Sequence, residues 1–332
     1  MKFRRAMDRL AEGVRRLTAR FGATVEVDPV EVVDRSAFMS LHAPGVASAN
    51  GSARLLQAED GWIAVNLARA DDLDLLPPWL EVEVSRDPWP SVQAACAGRL
   101  ASDLLVRARL LGLPVSIVGE TRSCGLLPPT VRMAPAREDV RTRSLRVVDI
   151  SSLWAGPLCG SVFADMGATV TKVESRTRPE SHVGSPEFFA RFNRGKARLT
   201  LDFSDPIDLA RLQALVTEAD VFITSARPRA FEGLGLAPKS VFARNPGLTW
   251  IAVTGHGCLG RDADRVAFGD DAAAAGGLVR WTGATPGFFG DASADPLTGL
   301  AAAFAGLNGI VAGGGVVVDA AMARVSAGAL DA

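Results

Sequence analysis

The sequence predicts an α/β protein: a doubly wound, mostly parallel, Rossmann-like sheet, with a smaller α+β domain placed N-terminally. Three observations predict it. Val147-Val-Asp-Ile-Ser-Ser-Leu-Trp-Ala-Gly-Pro157 reads as a short apolar strand running into a small-residue turn, with Pro157 placed to open a helix, and Ala168-Thr-Val-Thr-Lys-Val-Glu174 reads as the strand that completes a βαβ unit. Further apolar strand candidates at 198–203, 220–225 and 248–254 alternate with helical patterns, the signature of a parallel sheet. The N-terminal block instead reads as a hairpin followed by helices.

The elements follow in order. Phe3, Met7, Leu10, Val14 and Leu17 recur at helical spacing among arginines, giving an amphipathic surface helix over residues 1–21; Asp8 and Glu12 argue against a targeting peptide. Residues 52–57 and 62–67 read as two strands around the Asp60-Gly61 turn, and helical segments follow at about 71–80, 89–97 and 99–111. Gly112 stops the last helix before a strand ending near Val118. A polar segment at 121–144, with Pro128-Pro129 and a charged run at 137–143, suits an exposed linker. The domains are therefore 1–120, a linker at 121–144, and 145–332. The alanine- and glycine-rich stretch 299–315 reads as a tightly packed internal helix and a turn at Gly313-Gly-Gly315.

Composition excludes several classes. With 332 residues, 48% hydrophobic and 22% charged, the chain can build real cores, and a formal net charge of −1 argues against nucleic acid or an anionic membrane as general partner. No apolar run is long enough for a membrane helix. Four scattered cysteines, without metal spacing, suit a reduced, cytoplasmic compartment and no metal site. A parallel sheet binds ligands beyond its strand carboxyl ends, which places Ser151–Pro157, Glu174–Arg178, Phe203–Asp205, Ser225–Arg229 and Gly255–Gly260 on one rim. The turn after the first strand lacks G-x-G-x-x-G, so NAD and S-adenosylmethionine rank below other ligands even though Glu174 mimics a ribose-binding acid.

Several ordered segments together resemble family III CoA-transferases of the CaiB/BaiF type, which include formyl-CoA and carnitine CoA-transferases and α-methylacyl-CoA racemases. They are the Ala155-Gly156-Pro157 turn, Phe163 to Glu174, the Asn193-Arg194-Gly195-Lys196 to Leu201-Asp202 segment, Ala219 to Ser225 with Arg227-Pro228 and Leu234-Gly-Leu236, Val253-Thr-Gly-His-Gly257, and Asp295-Pro-Leu-Thr-Gly299. The resemblance implies an enzyme that moves CoA between an acyl-CoA and a carboxylic acid. CoA and acyl-CoA would be substrates, with no permanently bound cofactor. In the family an Asp attacks the acyl-CoA carbonyl, giving a mixed anhydride and CoA thiolate, and the thiolate then forms an aspartyl-CoA thioester. Asp295, in the position of the family's D-x-x-[TS]-G, is the expected nucleophile, with Asp291 as fallback. As a helix N-cap, Asp295 would have a lowered pKa.

By the same resemblance Ala155, Leu201, Phe203, Ser225 and Arg229 would contact CoA, with Arg176, Arg178 and Arg265 as phosphate partners. Trp154, where many members carry Gln, and Phe268, where Tyr is common, would shape or fill the acyl pocket. Two other readings stay open. One is a CoA-thioester isomerase, lyase or racemase using the same Asp, although residues 265–276 hold none of the three histidines (His42, His182, His256). The other is a non-catalytic CoA-binding subunit. Family members continue well beyond the D-x-x-[TS]-G helix, and residues 60–65 and 104–115 resemble that later part. Two arrangements stay open, a permutation with the small domain first and a truncation, and the family resemblance implies a homodimer, intertwined through the linker.

Overall fold

The computed structural model describes residues 2–137, 144–180 and 185–332. Twelve strands are assigned among them: β1 (Ala53–Gln57), β2 (Trp62–Asn66), β3 (Val115–Ile117), β4 (Thr130–Arg132), β5 (Arg146–Asp149), β6 (Thr169–Ser175), β7 (Ala197–Leu201), β8 (Val221–Thr224), β9 (Thr249–Thr254), β10 (Val279–Thr282), β11 (Thr285–Phe288) and β12 (Val316–Ala321).

Seven strands form one sheet in the order β4-β12-β9-β8-β5-β6-β7, parallel throughout except for the edge strand β4. Successive residues of each central strand enter opposite cores. Val147, Ile223 and Ile251 pack beneath the helices Lys2–Ala19, Ala155–Asp165 and Ala294–Val311. Val148, Phe222 and Trp250 pack with Leu212, Val216 and Phe242 from helices on the other face. Both faces are thus covered, which is why these strands read as continuous apolar runs. Strand order reverses between β5 and β8, so the loops leaving them diverge and open a crevice.

The helix Ala294–Val311 is buried almost all round, and its small residues explain how it fits. A Cβ at Gly299 would lie 2.8 Å from the Ala155 carbonyl, and one at Gly306 would collide with Ile251. The N-terminal helix crosses it, with Met7, Leu10, Val14 and Leu17 inward and Gly13 lying over Phe304. This helix belongs to the large-sheet core, so residues 1–120 do not pack as the single small unit read from the sequence. The separate small core is formed by β1-β2-β3, antiparallel, with Trp79, Val92 and Leu104 beneath it.

The segment 121–144 also departs from an exposed linker. Residues 130–132 pair with β12 as the antiparallel edge of the large sheet, and the Asp319 N–H donates to the Pro129 carbonyl (2.9 Å). The turn at Gly313-Gly-Gly315 is as read from the sequence, but strand β12, which follows it, went unread. All three glycines have positive φ (67–88°), which turns the chain sharply into the strand. The charged run at 138–143 and His182 lie outside the described residues.

A buried ion pair ties β5 to the segment after the second βα unit. Lys196 Nζ donates to Asp149 Oδ2 (2.8 Å), the Pro157 carbonyl (2.9 Å) and Asn193 Oδ1 (3.1 Å). Neither side chain of the Asp149–Lys196 pair is exposed. Gly160 makes room for it, since a Cβ there would lie 2.6 Å from Asp149 Oδ2 and 2.8 Å from Lys196 Nζ. Replacing Lys196 by Met leaves a buried carboxylate without its counter-charge. The expected loss is about 3–5 kcal/mol, read as a lower urea midpoint; an unchanged midpoint would contradict the pairing.

Candidate active site

The loop from β5 to the helix Ala155–Asp165 is held from three sides. Asp149 Oδ1 accepts from the Ser151 N–H (3.0 Å), Lys172 Nζ donates to the Ser151 carbonyl, and Glu180 accepts from the Leu153 N–H and from Lys172 (2.9 Å). These bonds hold Leu153 at φ +68°, a conformation costly for a residue with a Cβ. The outcome is that Trp154 turns inward, and the Ala155 N–H, at the start of its helix, is placed to oppose the rise of the Asp295 pKa.

Asp295 stands in the first turn of the helix Ala294–Val311, one residue inside it. It is not the N-cap: Ser293 occupies that position. Nor is its pKa lowered. Burial pushes it up to about 6, against the opposing pull of Arg35 and the Ala155 N–H. Two carboxyls lie close by. Asp291 is locked to Arg35, which donates from Nη2 (2.7 Å) and Nε. Asp270 accepts from the Ala292 N–H (2.9 Å) and is raised to about 7 by burial and by its acidic neighbours. Three acids thus share one arginine.

Asp295 is where two clefts meet. The first, about 320 Å³, lies over the strand carboxyl ends and is lined by Ser152, Ala155, Ser225, Val253 and Met322, with Arg69, Arg178, Arg227 and Arg265. Arg265 is committed to Glu120 (2.6 Å) and Arg69 to Asp72 and the Gly112 carbonyl (2.9 Å). Arg178 and Arg227 have no hydrogen bond or close ion pair among the described residues. Burial, then the neighbouring Arg229 and Arg69 charges against the pull of Asp264, depress the Arg227 pKa. The second cleft, about 270 Å³, is lined by Trp154, Phe188, Phe189, Met39, Arg35 and Asp270. Trp154 forms a wall there and leaves the cleft open. Arg69, Leu153, Phe268 and Asp295 line both clefts.

The candidate residues therefore divide. Asp295, Ala155, Ser225, Arg265, Trp154 and Phe268 come together at the clefts. Leu201 does not: it is 1% exposed and packed in the core on one face of the sheet, so its side chain cannot flank a nucleotide. Phe203 packs against the same core, and Arg176 reaches out toward Asp208 (3.5 Å); neither lines a cleft. Arg229 stands outside the lining, 3.8 Å from Asp264. His256 is buried beside Arg265, Arg109 and Arg324, has its pKa depressed to about 3 chiefly by burial, and lines a different cavity.

Sequence reading missed Arg35, Arg69, Phe188 and Asp270 as site residues, and placed Arg227 on the rim without singling it out. For Asp270 a signal existed: Asp270-Asp271 heads a run of four alanines in a helix, Gly269–Ala275, that is buried throughout. Gly269 was also informative, because a Cβ there would run into Asp295 Oδ2 and lie 2.6 Å from the Ala292 carbonyl. Gly269→Ala should therefore cost about 1–3 kcal/mol from overpacking, measured by denaturation. A variant as stable as the parent would place the carboxyl elsewhere.

Among the described residues no cluster of His, Cys, Asp or Glu could hold a metal ion, and no helix is long and apolar enough to cross a membrane. The family model for CoA-transferase family III matches residues 143–332. A succinyl-CoA–D-citramalate CoA-transferase of Chloroflexus aurantiacus is 34% identical over 193 residues, 53% of this chain and 47% of that protein. Human α-methylacyl-CoA racemase is 36% identical over 118 residues, 36% of this chain and 29% of the racemase. The crystal structure of a CAIB/BAIF family protein from Brucella suis superposes with a TM-score of 0.52 at 30% identity, covering 56% of this chain and 54% of that one. The chain thus spans about half the length of the first of these relatives. On the match to more than half of its residues, the chain belongs to CoA-transferase family III.

Proposed function

We propose that the protein transfers CoA between an acyl-CoA and a carboxylic acid, with Asp295 as the nucleophile. The observation that carries this reading is the position of Asp295 at the junction of an arginine-lined cleft and an aromatic one. The first suits the phosphates and pantetheine of CoA, and the second suits an acyl group. Asp295 attacks the thioester carbonyl, expelling CoA thiolate and forming a mixed anhydride. The thiolate attacks the aspartyl carbonyl, releasing the first acid and leaving an aspartyl-CoA thioester. The second acid attacks that thioester, freeing the thiolate again, and the thiolate takes the new acyl group and restores the Asp295 carboxylate. Each bond broken is replaced by another acyl bond of similar energy, so the thioester is conserved. Asp291 is the poorer nucleophile because its lone pairs are committed to Arg35. A racemase mechanism relying on His256 finds no support, since that residue lies in another cavity.

Two tests follow. Asp295→Ala should abolish transfer and hydroxylamine-trappable acyl-enzyme while leaving CoA affinity within a few-fold; Asp291→Ala should be milder. Full activity in Asp295→Ala with loss in Asp291→Ala would move the nucleophile to Asp291, and full activity in both variants would remove the carboxylate mechanism. Because the nucleophile must be ionised and its pKa is raised to about 6, the single-turnover rate should be flat above neutrality and fall as pH drops through 6. Arg35→Leu, which removes a charge holding that pKa down, should move this limb to higher pH.

The second test concerns CoA itself. Arg178→Ala and Arg227→Ala should each weaken CoA about tenfold by isothermal titration, the effect of losing one charge-assisted contact to phosphate. Neither NAD nor S-adenosylmethionine should bind. Tight NAD binding without a response to CoA would overturn the assignment of this cleft.

A further inference from the structure

If Asp295 exchanges CoA, the acid that accepts it lies in the second cleft, and the lining of that cleft selects what kind of acid fits. Trp154 and Phe188 meet edge to face with centroids 5.1 Å apart, a fixed aromatic corner against which a flat ring or a branched carbon can lie. Phe268 and Met39 extend the apolar lining. A dry cavity of about 150 Å³ already holds benzene. The cleft's volume of about 270 Å³ leaves room for a ring and a short chain reaching Asp295.

The arginines that line the cleft are already paired. Arg35 gives Asp291 two hydrogen bonds, and its guanidinium lies 5.0 Å from the Trp154 ring and 5.9 Å from the Phe188 ring. Arg69 is committed to Asp72 and the Gly112 carbonyl. The other charged groups lining the cleft, among the described residues, are acids: Glu180, Asp270 and Asp295. Glu180 takes Lys172 for itself at 2.9 Å. A second carboxylate on the substrate would shed its hydration, meet no uncommitted cation among the described residues that line the cleft, and face these acids.

We propose that the accepting acid is a monocarboxylate with an aromatic or branched hydrocarbon body, and that dicarboxylates are rejected. This rests on the reading of Asp295 as the CoA-exchanging residue, so the test separates binding from transfer. Titration of the CoA-loaded protein with 3-phenylpropanoate and with succinate reads the cleft alone. A transfer assay by mass spectrometry, with acetyl-CoA as donor, reads the chemistry. The expected result is tighter binding of 3-phenylpropanoate and a kcat/KM about 10²-fold or more above that for succinate. Met39→Arg, which adds an uncommitted guanidinium to the cleft, should narrow that ratio about tenfold or more. Succinate bound and used as well as 3-phenylpropanoate would overturn the proposal, and so would an unchanged ratio in Met39→Arg. Selective binding of 3-phenylpropanoate with no transfer to any acid would uphold the cleft's selectivity and defeat CoA exchange at Asp295.

Discussion

The buried pair of Asp149 and Lys196 is the interaction on which the site depends. Both charges are withdrawn from water, and in that setting attraction alone barely offsets desolvation. What the pair achieves is geometric. Through Ser151 on one side and the Pro157 carbonyl on the other, it fixes the ends of a loop whose middle residue, Leu153, sits at positive φ. A well-packed apolar pair could match its stability but could not bond the loop backbone at both ends. Lys172 and Glu180 add a second brace, and only with both in place do Trp154 and the Ala155 N–H face Asp295.

Electrostatics then decides which acid keeps its charge. Three carboxyls crowd around a single guanidinium, and they are not equivalent. Asp291 takes Arg35 in a two-bond fork and gives up its freedom to react. Asp270, buried and near two other acids, titrates near neutrality. Asp295 sees Arg35 at longer range and the Ala155 N–H beside it, and these pulls oppose burial, which leaves it ionised at neutral pH but incompletely stabilised. A carboxylate in that condition is a better nucleophile than a fully solvated or fully paired one, because less interaction is lost on bond formation.

How much of this was legible follows from where the information lies. The strands β5 to β9 and the helix Ala294–Val311 could be read because their apolar runs and small-residue patterns are local. Strand β12 was hidden by the glycines before it and β4 by the prolines beside it, since pairing with distant segments overrode local turn signals. Asp295 was legible through its motif, whereas its environment was not: the helix start suggested a lowered pKa, and burial reversed the direction. Leu201 and Arg176 lie away from the two clefts for a related reason. A motif carries a backbone position from one protein to another, but the face on which a side chain lands depends on register, and Leu201 lands in the core.

The residues no local pattern could reveal are those that complete the site from the N-terminal part of the chain. Arg35 reaches Asp291 across 256 residues, and Asn66 Nδ2 reaches Asp271 across 205. Each contact closes a buried acid that the large sheet alone would leave exposed to water or without a partner. The N-terminal helix, pressed on the buried helix that carries Asp295, and the three-stranded sheet, pressed on the alanine helix that follows Gly269, deliver those two residues. Neither contact requires any particular order of the segments along the chain. It requires only that both be docked, because an acid cluster of this kind stays charged at one member and neutral at another only while the cleft is closed around it.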